Sequence, residues 1–105
     1  MLKKINRISK KSEFQEVKEK GEMISTPLFG LVWIKKEGEK AFGSIISKKI
    51  SKKAVERNQI RRRLMEAVRL NMDIFPEGFR GIFLVKKTIL EKSEMEIEKC
   101  LKNLF

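Results

Sequence analysis

The amino-acid sequence predicts an α+β fold in which helices pack against a small mixed β-sheet. Short apolar runs rich in strand-forming residues alternate with longer stretches whose apolar residues recur every three or four positions, as on one face of a helix. The predicted order is helix, strand, strand, helix, strand, helix, which favours a layered arrangement around one core. Because 105 residues is a common size for one domain, we expect residues 1–105 to form a single domain.

The first half of the chain is predicted to contain a short helix followed by a β-hairpin. Ser12 with Gln15 has the pattern of a capping box, and the helix that it opens can end at Gly21. Residues 28–34 are too few for a typical helix and are rich in strand formers, so we interpret them as a strand buried on both faces. A polar loop separates this strand from a second one over residues 41–47, which predicts an antiparallel pair.

The second half is predicted to hold a long helix, a third strand and a closing helix. The long helix carries a stripe at helical spacing that should face the sheet, formed by Ile60, Leu64, Ala67, Val68 and Asn71. The third strand covers residues 79–86, after a break at Pro76 and Gly78. Ser93 with Glu96 supplies another capping box. The inward residues of the closing helix should be Ile97, Cys100, Leu101 and Leu104.

The composition indicates a polyanionic partner. The chain has 25 Lys and Arg residues against 14 Asp and Glu residues, a net charge of +11, while 41% hydrophobic residues still suffice for a core. Such an excess of positive charge is typical of proteins that bind nucleic acid or an anionic membrane surface. The longest apolar run, residues 28–34, is too short to span a membrane, and the first residues lack the apolar segment of a signal peptide. We therefore expect a cytoplasmic protein that binds nucleic acid.

The residue types argue against an enzyme that acts alone. The chain contains no histidine, no tyrosine and one cysteine, so the usual proton-transfer residue is missing. Cys100 is interpreted as a reduced core residue, because a lone cysteine forms neither an intramolecular disulfide nor a cysteine-based metal cluster. Carboxylates such as Glu56, Glu66 and Asp73 show no spacing typical of a metal site or a catalytic pair. We predict no catalytic and no metal-binding residues.

Residues 48–69 form the candidate binding segment. Its basic residues are Lys48, Lys49, Lys52, Lys53, Arg57, Arg61, Arg62, Arg63 and Arg69. They are opposed only by Glu56 and Glu66, and like charges on one helix repel each other. A solvated charged face is the alternative interpretation, but two carboxylates cannot balance so many cations. The segment therefore predicts a phosphate-binding surface.

Helical geometry divides this charge between two sides of the long helix. At about 100° per residue, the flank beside the apolar stripe carries, from its edge outward, Arg57, Arg61, Asn58, Arg62 and Arg69. Arg63 points to the other side. Guanidinium groups can bind phosphate oxygens in pairs, and Asn58 adds a neutral donor and acceptor among them. We expect this flank to be the main contact with the nucleic acid.

Several short motifs in this segment resemble a known signature. They are Ser47-Lys48-Lys49, Ala54-Val55, Arg57-Asn58, Ile60-Arg61-Arg62 and Glu66-Ala67. Together they resemble the signature of the bacterial ribonuclease P protein component. The resemblance extends over nearly the whole chain, because Arg7, Lys10-Lys11, Glu13-Phe14-Gln15, Val17 and Gly21 are similar to the family's start, and residues 75–87 to its last strand.

The resemblance implies a ribosomal-protein-like two-layer domain that binds RNA. It also implies a left-handed crossover between parallel strands, whereas general topology rules favour a right-handed one. In that family a partner RNA carries the catalytic centre, holds most of the Mg²⁺ and removes the 5′ leader from precursor tRNA, and we expect one protein per RNA. By position, the residues that bind the catalytic RNA are Lys48, Lys49, Lys52, Arg57, Asn58, Arg61 and Arg62. Those that bind the leader are Phe14, Val17, Val32 and Trp33.

This chain departs from the family's pattern at a few positions. Gln59 and Met65 stand where the family has basic residues, and Lys18 replaces a second aromatic residue after Phe14. Phe14 and Trp33 are also compatible with plain core positions, since large aromatic residues are mostly buried. Two other functions stay open: a small ribosomal or other structural RNA-binding protein without a role in cleavage, and a nonspecific binder of nucleic acid or membrane surfaces.

Overall fold

The computed structural model describes residues 2–105, which form a four-stranded sheet with α-helices on both of its faces. The helices are α1 (Lys11–Lys20), α2 (Ala54–Leu70) and α3 (Glu94–Lys102). The strands are β1 (Glu22–Ser25), β2 (Phe29–Lys35), β3 (Ala41–Ile45) and β4 (Phe79–Val85). Their order across the sheet is β1-β2-β4-β3, with β3 and β4 parallel and the other neighbours antiparallel. The predicted α+β class with a mixed sheet is confirmed.

The predicted antiparallel hairpin of β2 and β3 is wrong, because β4 lies between these strands. Phe42 of β3 pairs with Gly81 of β4 in a parallel register. A central strand is covered on both sides and both faces, and β4 supplies Phe79, Ile82 and Phe83, whose side chains are fully buried. An apolar run predicts that a strand is buried but not which strand lies beside it. The strongly apolar β4 therefore takes the centre.

Strand β1 was not predicted, because it is short and mostly exposed. It has four residues, lies at the edge of the sheet and pairs only with β2, so it needs little apolar surface. It follows Gly21 directly, where α1 ends as predicted. A Cβ atom at Gly21 would lie 2.4 Å from the carbonyl oxygen of Val17 and 2.6 Å from Cγ2 of Val32. Only glycine fits this close passage from helix to strand.

The larger core lies between the sheet and the helices α2 and α3. Four residues of the predicted stripe are buried there, namely Ile60, Leu64, Ala67 and Val68. Asn71, just past the helix end, donates hydrogen bonds to the carbonyl oxygen of Ala67 (2.8 Å) and to Glu98 of α3 (2.9 Å). The closing helix contributes buried Ile97 and Leu101 and half-buried Cys100. Leu104, predicted to lie on the helix, is half-buried just past its end at Lys102. α2 thus joins the neighbouring parallel strands β3 and β4, and the handedness of this connection stays a prediction.

The opposite face of the sheet carries a smaller core under α1. Its buried residues are Ile8, Val17, Val32, Ala41 and Ile82. Phe14, Ile34, Ile45 and Leu84 pack against it and stay partly exposed. The segment before α1 runs along the outer edge of β3, where the backbone N–H of Ile8 donates to the carbonyl oxygen of Phe42 (2.9 Å). α1 covers only part of this face.

One of the two predicted capping boxes is present. At the start of α3, the backbone N–H of Glu96 donates to the Ser93 hydroxyl, and the Ser93 backbone N–H donates to the Glu96 carboxylate. The latter bond lowers the pKa of Glu96. The box at Ser12 is wrong, because α1 begins at Lys11 and its N-cap residue is Lys10. The preceding segment is attached to β3, which sets where the helix begins.

We expect Ser93→Ala to destabilise the protein by about 1 kcal/mol, the usual cost of a lost N-cap. The measurement is the midpoint of urea unfolding followed by circular dichroism. Ser12→Ala is the matched control, since the Ser12 hydroxyl caps no helix. It should change the free energy of unfolding by no more than about 0.5 kcal/mol. Equal losses for both variants would contradict the observed caps.

Candidate nucleic-acid interface

The loop before α2, residues 46–53, presents its lysines to solvent. We call it the lysine loop. Lys48, Lys49 and Lys52 are exposed and make no ion pair with the described residues 2–105. The loop is anchored to the larger core by Ile46, which is buried in it, and by Ile50, which packs against it. These three ammonium groups are therefore available to a partner while their backbone is anchored.

Arg57 has a structural contact in addition to its charge. Its side chain is half-buried, and Nη1 donates to the carbonyl oxygen of Ser51 (2.8 Å). This bond ties the first turn of α2 to the lysine loop. Arg57 therefore orders the loop and also adds positive charge at its base.

Asn58, Arg61 and Arg62 lie together on one exposed side of α2, as helical geometry predicts. Arg61 Nη1 donates to Oδ1 of Asn58 (2.9 Å), and Arg61 Nε lies 3.4 Å from Oγ of Ser44 on β3. Arg61 thereby bridges the helix and the sheet. We call Arg57, Asn58, Arg61 and Arg62 the basic flank.

A surface groove continues from the basic flank to the N-terminal segment. A cavity of about 250 Å³ beside the flank is lined by Leu2, Arg7, Asn58, Arg61, Arg62 and Met65. Arg7 reaches this place because residues 7 and 8 run along the edge of β3. Neither Arg7 nor Ser44 was predicted as a site residue, because it is the edge of the sheet that brings them near α2.

A second cavity connects the flank with Phe14 on the other face of the sheet. It measures about 180 Å³, and its lining residues are Arg7, Ile8, Phe14, Phe42, Gly43, Ser44, Arg61 and Met65. Arg7, Arg61 and Met65 line both cavities, so the two form one continuous surface. We call the second cavity the Phe14 groove.

The ring of Phe14 lies directly over Gly43 of β3. A Cβ atom at Gly43 would be 2.8 Å from Cζ and 3.0 Å from Cε1 of that ring. Glycine at this position is therefore what allows the close approach. Phe14 stays partly exposed and lines the groove, so part of its ring is available to a ligand.

The other predicted leader-binding residues do not line this groove. Val17 and Val32 are only 1% and 5% exposed, so they support the groove from within the smaller core. Trp33 lies on the opposite face of the sheet, stacked on Phe79 with ring centroids 5.1 Å apart. Successive residues of a strand point to opposite faces, so Val32 and Trp33 cannot share one. The predicted leader-binding residues therefore do not form one surface, because Phe14 and Trp33 lie on opposite faces of the sheet.

The remaining arginines of α2 lie away from the basic flank or are engaged. Arg63 lines a cavity with Gln59 and Leu90 on the side of α3, as helical geometry predicts. Arg69 donates to the carboxylate of Glu66, and this bond lowers the pKa of Glu66 to about 2. Arg69 is thus neutralised in part, which concentrates the uncompensated charge at the helix start.

Within residues 2–105, no three carboxylate or cysteine side chains come together as a possible metal site. No helix in the same range is long and apolar enough to cross a membrane.

Comparison with known proteins then decides the family. The family model described as Ribonuclease P matches residues 2–105, which is nearly the whole chain. The chain belongs to the ribonuclease P protein family. Membership confirms the resemblance seen in the motifs of the basic segment.

Curated relatives support this ribonuclease P assignment over most of their length. The chain is 35% identical to the ribonuclease P protein component of Clostridium kluyveri, covering 95% of this chain and 91% of the relative. It is 30% identical to that of Alkaliphilus oremlandii, with 98% and 90% covered. The match therefore extends well beyond the basic segment.

Solved structures show the same fold as this ribonuclease P family member. The protein from Staphylococcus aureus superposes with a TM-score of 0.83 at 22% identity, covering 96% of this chain and 93% of that one. The protein from Thermotoga maritima gives 0.84 at 22% identity, with 93% of both chains covered. The arrangement of sheet and helices is thus shared although most residues differ.

Proposed function

We propose that this chain is the protein subunit of ribonuclease P, which binds the catalytic RNA and the 5′ leader of precursor tRNA to promote Mg²⁺-dependent maturation of tRNA in the cytoplasm. The observation that carries the proposal is the continuous surface from the basic flank to the Phe14 groove, joined by Arg7 and Arg61. Family membership supports the same function. We propose one protein per catalytic RNA.

The basic flank and the lysine loop are the proposed contact with the catalytic RNA. Arg62 is exposed on the flank, and Lys48, Lys49 and Lys52 extend it beyond the start of α2. Guanidinium groups bind phosphate oxygens in pairs, while lysines add strongly hydrated point charges. The backbone N–H groups at the N-terminus of α2 favour a phosphate at the same place.

The Phe14 groove is the proposed contact with the leader. A single-stranded leader offers bases that stack on an aromatic ring with little sequence preference. Phe14 supplies the ring, and Arg7 with Arg61 supplies positive charge for the adjacent phosphates. Val17 and Val32 are proposed to act indirectly, as the buried support of the groove.

The chemistry is proposed to belong to the RNA. The chain has no histidine, and no three of its described carboxylates come together as a metal site. We therefore propose that the Mg²⁺ ions are held mainly by RNA. Positive charge on the protein reduces the repulsion between two polyanions and attracts them at long range. The subunit thereby lowers the concentrations of Mg²⁺ and substrate that the RNA needs.

We expect addition of this protein to a bacterial ribonuclease P RNA to lower the Mg²⁺ concentration required for cleavage of precursor tRNA at moderate salt. The measurement is the initial rate of 5′ leader release across a Mg²⁺ series, with and without protein. A rate that does not change, together with equal binding of ribosomal RNA, would favour a structural RNA-binding protein instead.

We expect Arg62→Met to weaken binding to the catalytic RNA and to reduce the slope of log affinity against log salt by about one unit, as for one lost phosphate contact. Arg61→Met should act in the same direction. Arg63→Met is the matched control, because it removes the same charge from the opposite side of α2. The same loss of slope for Arg63→Met would indicate diffuse attraction rather than a docked flank.

We expect Phe14→Leu to reduce affinity for precursor tRNA in the assembled enzyme by about tenfold, which is the lower range of a lost base stack. Affinity for mature tRNA, which has no leader, should stay the same. Phe105→Leu serves as control, since it also removes a half-exposed ring but on the Trp33 side. Equal losses for both tRNAs would mean that Phe14 is a core residue only.

A further inference from the structure

Helix α1 is fastened to one end of the sheet by two ion pairs. Arg80 Nη1 of β4 donates to Oε2 of Glu13 (2.7 Å), and Nζ of Lys36, just past β2, contacts Oε1 of Glu16. The latter bond holds the pKa of Glu16 below its ordinary value. We call these two pairs the α1 clasp.

Apart from the clasp, α1 is attached to the sheet by Val17 and by the partly exposed Phe14, which packs against the smaller core. It has ten residues, its N-cap side chain makes no hydrogen bond, and Val17 is its one buried residue. Isolated helices of this length are marginal in water. Tertiary contacts must therefore both form α1 and decide its orientation.

Burial of Val17 alone does not set the rotation of the helix about its axis. At about 100° per residue, Glu13 and Glu16 lie on one flank of α1 and Phe14 lies on the other, with Val17 between them. Fastening the acidic flank therefore determines where the opposite flank points. That opposite flank holds the ring of Phe14 over Gly43.

The Glu13–Arg80 pair is the stronger part of the clasp. The side chains of Arg80 and Glu13 are 21% and 31% exposed, so solvent and salt screen this pair less than an exposed one. Arg80 belongs to a central strand, where it pairs with Ile34 and Ala41. Its Nε is buried and has no hydrogen-bond partner among the described residues. The Arg80 charge is compensated by the bonded Glu13 and, more weakly, by the nearby Glu16 carboxylate.

We propose that the α1 clasp is a positioning device that holds the Phe14 ring in its groove and thereby sets the preference for precursor over mature tRNA. Glu13, Glu16, Lys36 and Arg80 act through Phe14 and do not touch the leader themselves. This inference rests on the proposed function. It differs from a stability role because it concerns the orientation of α1 rather than the integrity of the core.

A charge swap tests this proposal in the assembled enzyme. We expect Arg80→Glu and Glu13→Arg alone each to lower the ratio of precursor to mature tRNA affinity about three- to tenfold, because each replaces attraction by repulsion of similar size. The double variant carrying both changes should restore the ratio to within about twofold. Affinity for the catalytic RNA alone should stay at the parent value in all three variants.

Two controls separate orientation from charge and from folding. Lys92→Glu reverses an exposed charge that pairs with Glu96 beside α3, and it should leave the ratio unchanged. Gly43→Ala leaves the clasp intact but displaces the Phe14 ring, so it should lower the ratio. If Arg80→Glu no longer unfolds cooperatively, Arg80→Met takes its place. Its ratio of precursor to mature tRNA affinity, measured at the same temperature as that of the parent, should be about threefold lower, as for loss of the pair alone.

The outcomes distinguish the two proposals. An unchanged ratio in folded Arg80 variants, or a ratio that the double variant does not restore, overturns the clasp while the parent enzyme still prefers precursor. A parent protein that neither stimulates cleavage nor prefers precursor overturns the proposed function itself.

Discussion

Burial of one stripe of α2 against the sheet is the constraint on which the candidate interface depends. Leu64 and Val68 are completely buried, and Ile60 and Ala67 nearly so. Because a helix is rigid at about 3.6 residues per turn, burying these positions leaves no choice about the direction of the others. The basic flank must then point outward beside β3, and the lysine loop must precede it. Without the contact between this stripe and the sheet, the residues of the basic flank would no longer be held on one side of the domain.

The alignment of charge has a cost that a partner can offset. Like charges on one helix repel, and a net charge of +11 disfavours the compact state. The chain reduces this repulsion locally, since Glu66 engages Arg69 and Asn58 accepts from Arg61. The lysine loop has no such compensation among the described residues. Phosphates of an RNA would supply the missing negative charge and release the repulsion.

The two faces of the sheet have different roles. One face holds the large core with α2 and α3, where Trp33 stacks on Phe79 on the side of the sheet away from Phe14. The other face is covered only in part by α1, so Phe14 stays accessible above Gly43. Arg7 and Arg61 connect this face with the outer side of α2. A single nucleic-acid surface can therefore pass around the β3 edge from one layer to the next.

Sequence patterns alone predict the α+β class, the buried stripe of α2, the capping box at Ser93 and the side of α2 to which Arg61, Arg62 and Arg63 point. All of these follow from short-range periodicity, because helix geometry relates residues three and four positions apart. The three-dimensional fold is needed to show that β4 lies between β2 and β3, that Arg7 lies beside the basic flank, and that Trp33 faces away from Phe14. The neighbours of a strand, and the face that it turns to each helix, depend on how distant segments pack around one core. A local sequence pattern does not specify which segment lies beside the strand.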